Sequence, residues 1–299
     1  MIATICGVSG FILPNNVRAE SALTFAAGQH TIYEYRKFLK PYDGDVTLVE
    51  AIPNGALNRC AMDLVIQIKA MRLGGITAPI EFEPVPNARR GTELMAEGHV
   101  IGLAQQLNKD TLIVQGYDKK LYVRDAITRF GEFQKGIYCL PHNLNVLAVT
   151  SSKELADAGT AIIGLHWNND AKVLQDMGVR DIIRTPTYES IIKMIGAGRA
   201  DWAPLEIPNT KDKAITYDGV TLVPVPQIKL SLLESRHYLV SKNHPRGREV
   251  FHALQSGLQK LQAQGFIRKA LVSCGVINPD TRDWTILNEA AMLAGEVSQ

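Results

Sequence analysis

The chain alternates short apolar runs with amphipathic stretches, and these two periods predict most of its elements. Residues 22–26 read as a first strand, and 45–52 form a further apolar, β-branched run. Asn54 serves as the cap of a helix in which Leu57, Ala61, Leu64, Ile68 and Met71 share one face. Arg59, Asp63, Gln67 and Lys69 lie off that stripe, and Gly74-Gly75 ends it. Residues 79–85 predict a strand. Asn87 then opens a short helix with Leu94 and Met95 inward, Gly98 stops it, and 99–104 return as a strand. This β-α-β-α-β run is half of a doubly wound sheet.

Residues 105–140 are less regular, with apolar runs at 111–114 and 121–123. A strand is predicted at 144–149, and Ser151 with Glu154 forms a capping box before a short helix. From Thr160 the pattern sharpens. A strand ends at Gly164, His166-Trp167-Asn168-Asn169-Asp170 precedes a helix that stops at Gly178, and a strand covers 179–185. A helix over 188–197 leads through Gly198-Arg199-Ala200-Asp201 to another strand and Glu206. Strand and helix at this period demand a parallel sheet. The polar and aromatic residues gather where such a sheet builds its cleft, at strand carboxyl ends and helix amino ends. Strands follow at 220–225 and 237–240. A long helix over 245–264 carries the stripe Val250, Leu254, Leu258 and Leu261, Gly265 ends it, and 267–273 form a last short helix.

Bulk properties narrow the function classes. A chain of 299 residues makes one large domain or two ordinary ones, and 46% hydrophobic residues exclude a disordered chain. Net charge is +2 with charges spread along the chain, which excludes an electrostatically driven nucleic-acid or membrane-surface binder. Residues 2–13 are apolar but too short to span a bilayer. With Val17-Arg18-Ala19 as a small-residue cleavage site, residues 1–20 are expected to be a secretory signal peptide. Arg18 is the first basic side chain, so the basic n-region would have to come from an upstream start; a strand-like or disordered N-terminus is the alternative.

Of the four cysteines, Cys6 falls in that leader. Cys60, Cys139 and Cys274 are an odd, widely spaced set, neither a disulfide framework nor a metal site. Buried free thiols are expected, with a Cys60–Cys274 bridge as the alternative. Cys139-Leu140-Pro141-His142 suggests a thiol and a base, but a strand turns them to opposite faces and no third group orients them. His142 and His166 lack metal-ligand spacing, and no glycine-rich phosphate loop is present, so no cofactor or metal is expected.

One set of residues carries a resemblance. Trp167 and Asp170, then Tyr188, then Met194-Ile-Gly-Ala-Gly198-Arg199-Ala200-Asp201, then Glu206 resemble the second lobe of type II periplasmic solute-binding proteins close to the amino-acid-binding family 3. A branch of that group carries Trp-x-x-Asp at a helix start, a Tyr, Met-x-x-Gly-Arg-x-Asp and an acidic residue; here the spacing before the Gly-Arg pair differs by one. Leu258 to Gly265-Phe266 also resembles the family's ending of helix, glycine and aromatic residue. The resemblance covers about 22–274 and is diffuse outside 145–206 and 236–272.

It implies an α/β fold of two lobes, each a doubly wound, mainly parallel sheet with flanking helices. Lobe I would be 21–142 and 242–299, and lobe II 143–241. The crossover would lie near 137–144 and the return near 238–242, with the C-terminal helices on lobe I. The implied function is periplasmic binding of a small polar solute, with an amino-acid-like one as the candidate, by a monomer. A membrane transporter or sensor would be its partner, and nucleic acid and membrane insertion are not expected. A lyase or dehydratase on the same fold, or a sensory module with a degenerate cleft, are the alternatives.

The candidate ligand-binding residues follow. Trp167 is a cleft wall whose ring would stack on a planar or cationic solute for about 0.5–2 kcal/mol, or a packing residue. Asn168 or Asn169 caps its helix, or leaves free N–H groups for an anion. Asp170 holds an amino group, or only complements the helix dipole. Glu206 matches the family's amine-binding acid, or is a solvated carboxylate. Arg129 suits a ligand carboxylate because guanidinium binds it bidentately. Arg90 occupies the place of an arginine before the second helix in many relatives, or is a solvated helix residue. Two departures bear on specificity. Amino-acid binders carry Thr-x-x-Arg before Phe-Ser-x-Pro-Tyr, whereas this chain reads Ile127-Thr128-Arg129-Phe130-Gly131-Glu132-Phe133, and Ile101 stands where an aspartate follows Gly98.

Overall fold

The computed structural model describes residues 21–123 and 125–296, so the expected signal peptide and Cys6 lie outside the described residues. The buried strand β1 (Leu23–Ala27) comes first, then helix α1 (Gln29–Leu39), whose Ile32, Tyr35 and Leu39 turn inward at helical spacing. The run 45–52 is not a strand. Its centre is a 3-10 turn, Val46–Leu48, held by the Asp45 carboxylate, which accepts the Thr47 N–H at 2.8 Å. Helix α2 (Arg59–Leu73) begins after Asn58, whose side chain accepts the Ala61 N–H at 2.9 Å. Asn54 does not cap it, because Pro53 to Ala56 form a turn closed by a 3.1 Å hydrogen bond.

Strand β2 (Ile80–Pro84), helix α3 (Ala88–Glu97) and strand β3 (Gly102–Leu103) complete a parallel sheet in the order β2-β1-β3. Parallel neighbours need long crossovers; α1 with α2, and α3, supply them. As expected, Asn87 caps α3 through the Arg90 N–H, and Gly98 closes it in the left-handed conformation. Strand β4 (Leu107–Asn108), helix α4 (Lys109–Val114) and strand β5 (Leu121–Val123) follow.

Strand β6 (Gln134–Cys139) is the middle of a second, mixed sheet. The predicted strand over 144–149 is instead a short helix, α5 (Leu144–Leu147), because the Asn143 side chain caps it by accepting the Val146 N–H. Helix α6 (Ser152–Ala156) opens on the Ser151–Glu154 capping box. Strand β7 (Ala161–Gly164), helix α7 (Asn168–Asp176), strand β8 (Ile182–Thr185), helix α8 (Tyr188–Gly196) and strand β9 (Trp202–Glu206) then alternate as the pattern predicts. Strands β10 (Ile215–Tyr217), β11 (Val220–Pro224) and β12 (Ile228–Ser231) extend this sheet, in the order β10-β11-β6-β9-β7-β8 with β12 also on β6. β7 runs parallel to β8 and β9, whereas β6 is antiparallel to β9.

The chain then returns. The strand expected at 237–240 is split around Tyr238 into β13 (Arg236–His237), paired with β4, and β14 (Leu239–Ser241), paired with β5. Helices α9 (Gly247–Ala263) and α10 (Phe266–Ser273) pack on α2. The α2–α9 contact is backbone against backbone: a Cβ on Gly257 would lie 1.8 Å from the Ala70 carbonyl oxygen. A short β15 (Thr285–Ile286) joins β12 of the second sheet.

The segments connecting the two sheets lie side by side. The Arg236 N–H donates to the Thr128 carbonyl and the Leu232 N–H to the Phe133 carbonyl, each at 2.9 Å. Cys60, Cys139 and Cys274 are free thiols. Among the described residues, no helix is long and apolar enough to cross a membrane.

Candidate functional site

Charged side chains from both sheets meet where the connecting segments run. Arg59 is the first residue of α2, and its Nε donates to Glu206 Oε1 at 3.0 Å. Glu206 ends β9, and the antiparallel register with β6 sets Lys135 opposite it. Lys135 Nζ lies 2.5 Å from Asp170 Oδ1 and 3.7 Å from the centre of a Trp167 ring. Gly164 permits that ring position: a Cβ there would sit 2.6 Å from Trp167 Nε1.

The connecting segments furnish the floor. Phe133 carries the Arg236 guanidinium 3.8 Å above its ring centre, with Arg59 at 5.5 Å and Lys135 at 5.9 Å. Glu234 is buried and pairs with Arg236. Its Oε2 also accepts from Asn108 Nδ2 at 2.7 Å and Asn169 Nδ2 at 2.8 Å, one donor from each side of the junction. Deeper in, Asp63 accepts from the Gln106 side chain at 2.7 Å, the Gln106 N–H at 3.1 Å and the Tyr238 hydroxyl at 2.7 Å. The Tyr238 contact accounts for the split between β13 and β14, since this residue leaves the ladder to reach α2.

Four carboxylates thus meet three cations in a space largely withdrawn from water, and the pairing decides each charge state. Burial raises the Glu206 carboxyl, but Arg59 and then Lys135 outweigh it and hold it below the usual glutamate range. Glu234 is likewise held down, with Arg236 and the Asn108 hydrogen bond overcoming burial. At Asp63 and Asp170 burial wins and both rise above the ordinary aspartate range, although Arg59 and Lys135 pull the other way. Burial also raises the Cys60 thiol, away from the thiolate that a nucleophile needs. Cys60, the residue after Arg59, lines a cavity of about 180 Å³ with Gly28, Thr31, Asn87 and Gln105 at the carboxyl ends of β1, β2 and β3.

The structure brings Trp167, Asp170 and Glu206 together and leaves the other sequence candidates outside the cluster. Asn168 is exposed and accepts from Arg184 Nη1 at 3.0 Å. Arg90 is exposed on α3 and pairs with Glu93 at 3.4 Å. Arg129 is exposed on its connecting segment, its N–H donating to Glu132 at 2.9 Å. Asp201 accepts the Thr160 N–H at 2.7 Å and so positions the turn before β7.

Arg59, Asp63, Lys135, Glu234, Arg236 and Phe133 are not legible as site residues from the pattern. One signal was present: an Arg and an Asp four residues apart in a helix otherwise rich in Ala, Leu, Val, Ile and Met, a costly placement unless the pair is used.

No protein-family profile and no curated protein sequence matches the chain. Solved structures do. The probable amino-acid ABC transporter extracellular-binding protein ytmK of Bacillus subtilis is 14% identical with a TM-score of 0.55, over 84% of this chain and 96% of its own. An ancestral arginine-binding protein, solved with arginine, is 13% identical with a TM-score of 0.52, over 85% of this chain and 97% of its own. The chain has the type II periplasmic binding-protein fold. A third structure with this fold is an ancestral amino acid-binding protein described as a precursor of cyclohexadienyl dehydratase. It is 13% identical with a TM-score of 0.53, over 85% of this chain and 96% of its own. In the type II periplasmic binding-protein fold the two sheets belong to separate lobes, and here the charged cluster lies where the lobes meet.

Proposed function

We propose that this protein binds a small zwitterionic solute, of the amino-acid class, between the lobes, for hand-over to a membrane transporter or sensor outside the cytoplasm. The lobes are those built on the first and second sheets, hinged at the paired segments 125–133 and 232–235, an earlier first crossing than the resemblance implies, with a further crossing between α10 and β15. The observation that carries the reading is the Arg59–Glu206 contact: a guanidinium from one lobe and a carboxylate from the other, 3.0 Å apart, are the two groups a zwitterion requires. Arg59 takes the solute's carboxylate and Glu206 its ammonium group, and the cavity lined by Cys60 receives its side chain. Trp167, with Lys135 on its ring, walls the second lobe.

A melting-temperature screen of the secreted form against L-amino acids, polyamines and small carboxylates tests this. A bound solute at one hundred times its dissociation constant adds about 2.7 kcal/mol of stability. A flat response from every zwitterion, in protein that unfolds cooperatively, sinks the proposal.

A lyase reading draws on one observation: Asp170 is pushed up and Glu206 held down, the split that acid–base pairs use. Against it, Asp170 is buried and locked to Lys135, so the raised carboxyl that would serve as the acid is not offered to a substrate. Conversion of a bound zwitterion, followed by mass spectrometry, would favour the lyase.

A further inference from the structure

The groups proposed for the solute are already satisfied from within. Glu206 stands on the Arg59 Nε, as a ligand carboxylate would, and the Lys135 ammonium lies on the Trp167 ring, as a ligand cation would. Arg59 is only partly matched. Its Nη1 is buried, 3.7 Å from Asp63 Oδ2, and makes no hydrogen bond among the described residues. A bidentate acceptor would use both edges of the fork, whereas Glu206 takes one. Its carboxylate comes from the opposite lobe, so the contact also ties the lobes together.

We infer that Glu206 is a specificity-determining internal competitor: it holds Arg59 in place of a ligand anion, keeps the empty cleft shut, and yields only to a solute whose own cation takes it up. This rests on the proposed solute binding and adds a selection rule. A zwitterion breaks the Arg59–Glu206 contact and re-pairs both partners. A simple carboxylate re-pairs Arg59 but strands Glu206 in a half-buried position, so it is rejected. Binding also requires the competent, open population, and the apparent dissociation constant rises by the inverse of that fraction.

The experiment is Glu206→Gln, which keeps the shape and removes the charge, with Glu206→Ala as a second variant should the first pack differently. Small-angle scattering of ligand-free protein is the first readout, and calorimetric titration with acetate, propionate and the L-amino acids is the second. The expected result is a larger radius of gyration for both variants without ligand. Propionate affinity is expected to rise by the inverse of the open fraction, about tenfold for an open fraction of about one in ten, while any zwitterion weakens. An unchanged radius together with unchanged propionate affinity overturns the inference, even where wild type binds an amino acid and the proposed function stands. An opened variant in a protein that binds no amino acid supports the shut-cleft half and removes the proposed function instead.

Discussion

Lys135 and Asp170 show at the scale of single residues what holds this junction together. Their side chains are 4% and 7% exposed, so each charge is tolerable only beside the other. Removing one partner of such a pair typically costs about 3–5 kcal/mol, while replacing both with apolar groups is often neutral. Asp170→Ala is therefore expected to lose stability in that range in urea unfolding, and Lys135→Met with Asp170→Leu to recover most of it. A loss under about 1 kcal/mol for the single change would mean that the pair is solvated after all. The same pair explains what the sequence could and could not reveal. Asp170 was legible because it follows Trp167 at a helix start, a local pattern. Lys135 was not, since its role comes from the β6–β9 register and from a side chain 35 positions away. Arg59 and Glu206, 147 residues apart, are the extreme case: Glu206 stands out through the resemblance, whereas Arg59 is marked only by lying off the apolar stripe of its helix.

At the scale of elements, the α2–α9 contact is the tightest packing of the first lobe. Gly74 and Gly257 bring the two backbones together, and a methyl group at either position would overlap a carbonyl of the partner helix. Overpacking of this kind costs typically 1–3 kcal/mol, so Gly257→Ala is expected to lose about that much in melting experiments. Gly198 provides the contrast. It has a positive φ of 67° but open space around it, so Gly198→Ala should cost only the left-handed strain, about 1–2 kcal/mol. A tolerated Gly257→Ala would mean that the helices slide apart freely. Legibility at this scale followed locality. Helices α3, α6 and α8 and strands β7 and β9 carry their caps and periods in adjacent residues. Helix α1 passes unmarked because its stripe is three residues wide and its Gly28 cap offers no side chain. Residues 144–147 mislead because an Asn143 cap outweighs a short apolar run. Strand β6 is hidden because Gln134, Lys135 and Gly136 break up its apolar run, which tertiary pairing completes.

On the scale of the whole molecule, one carboxylate joins the pieces. Glu234 lies on a connecting segment with 2% exposure, and its Oε2 accepts from Asn108, beside the first sheet, and Asn169, at the start of α7 over the second. Its other oxygen engages Arg236, which in turn covers Phe133 of the neighbouring connecting segment. Loss of this side chain takes the carboxylate from the part-buried Arg236 guanidinium and one acceptor each from the Asn108 and Asn169 amides. Glu234→Ala is therefore expected to cost about 3–5 kcal/mol, the figure for breaking a buried ion pair. The more telling effect is on cooperativity. With the shared acceptor gone, the lobes keep Arg59–Glu206, the backbone bonds between the connecting segments, the Asn209 side chain donating to the Val272 carbonyl at 3.1 Å, and the chain crossing from α10 to β15. Unfolding in urea should then broaden, with a smaller m-value or two transitions, and amide exchange should rise in 125–133 and 232–235. Asn169→Ala cuts only one of the hydrogen bonds and should cost about 1 kcal/mol while leaving a single sharp transition. If Glu234→Ala lowers the midpoint but keeps the full m-value and the exchange pattern, Glu234 stabilises its own segment only. The coupling of the lobes must then come from the other contacts between them, Arg59–Glu206 and Asn209 with the Val272 carbonyl among them.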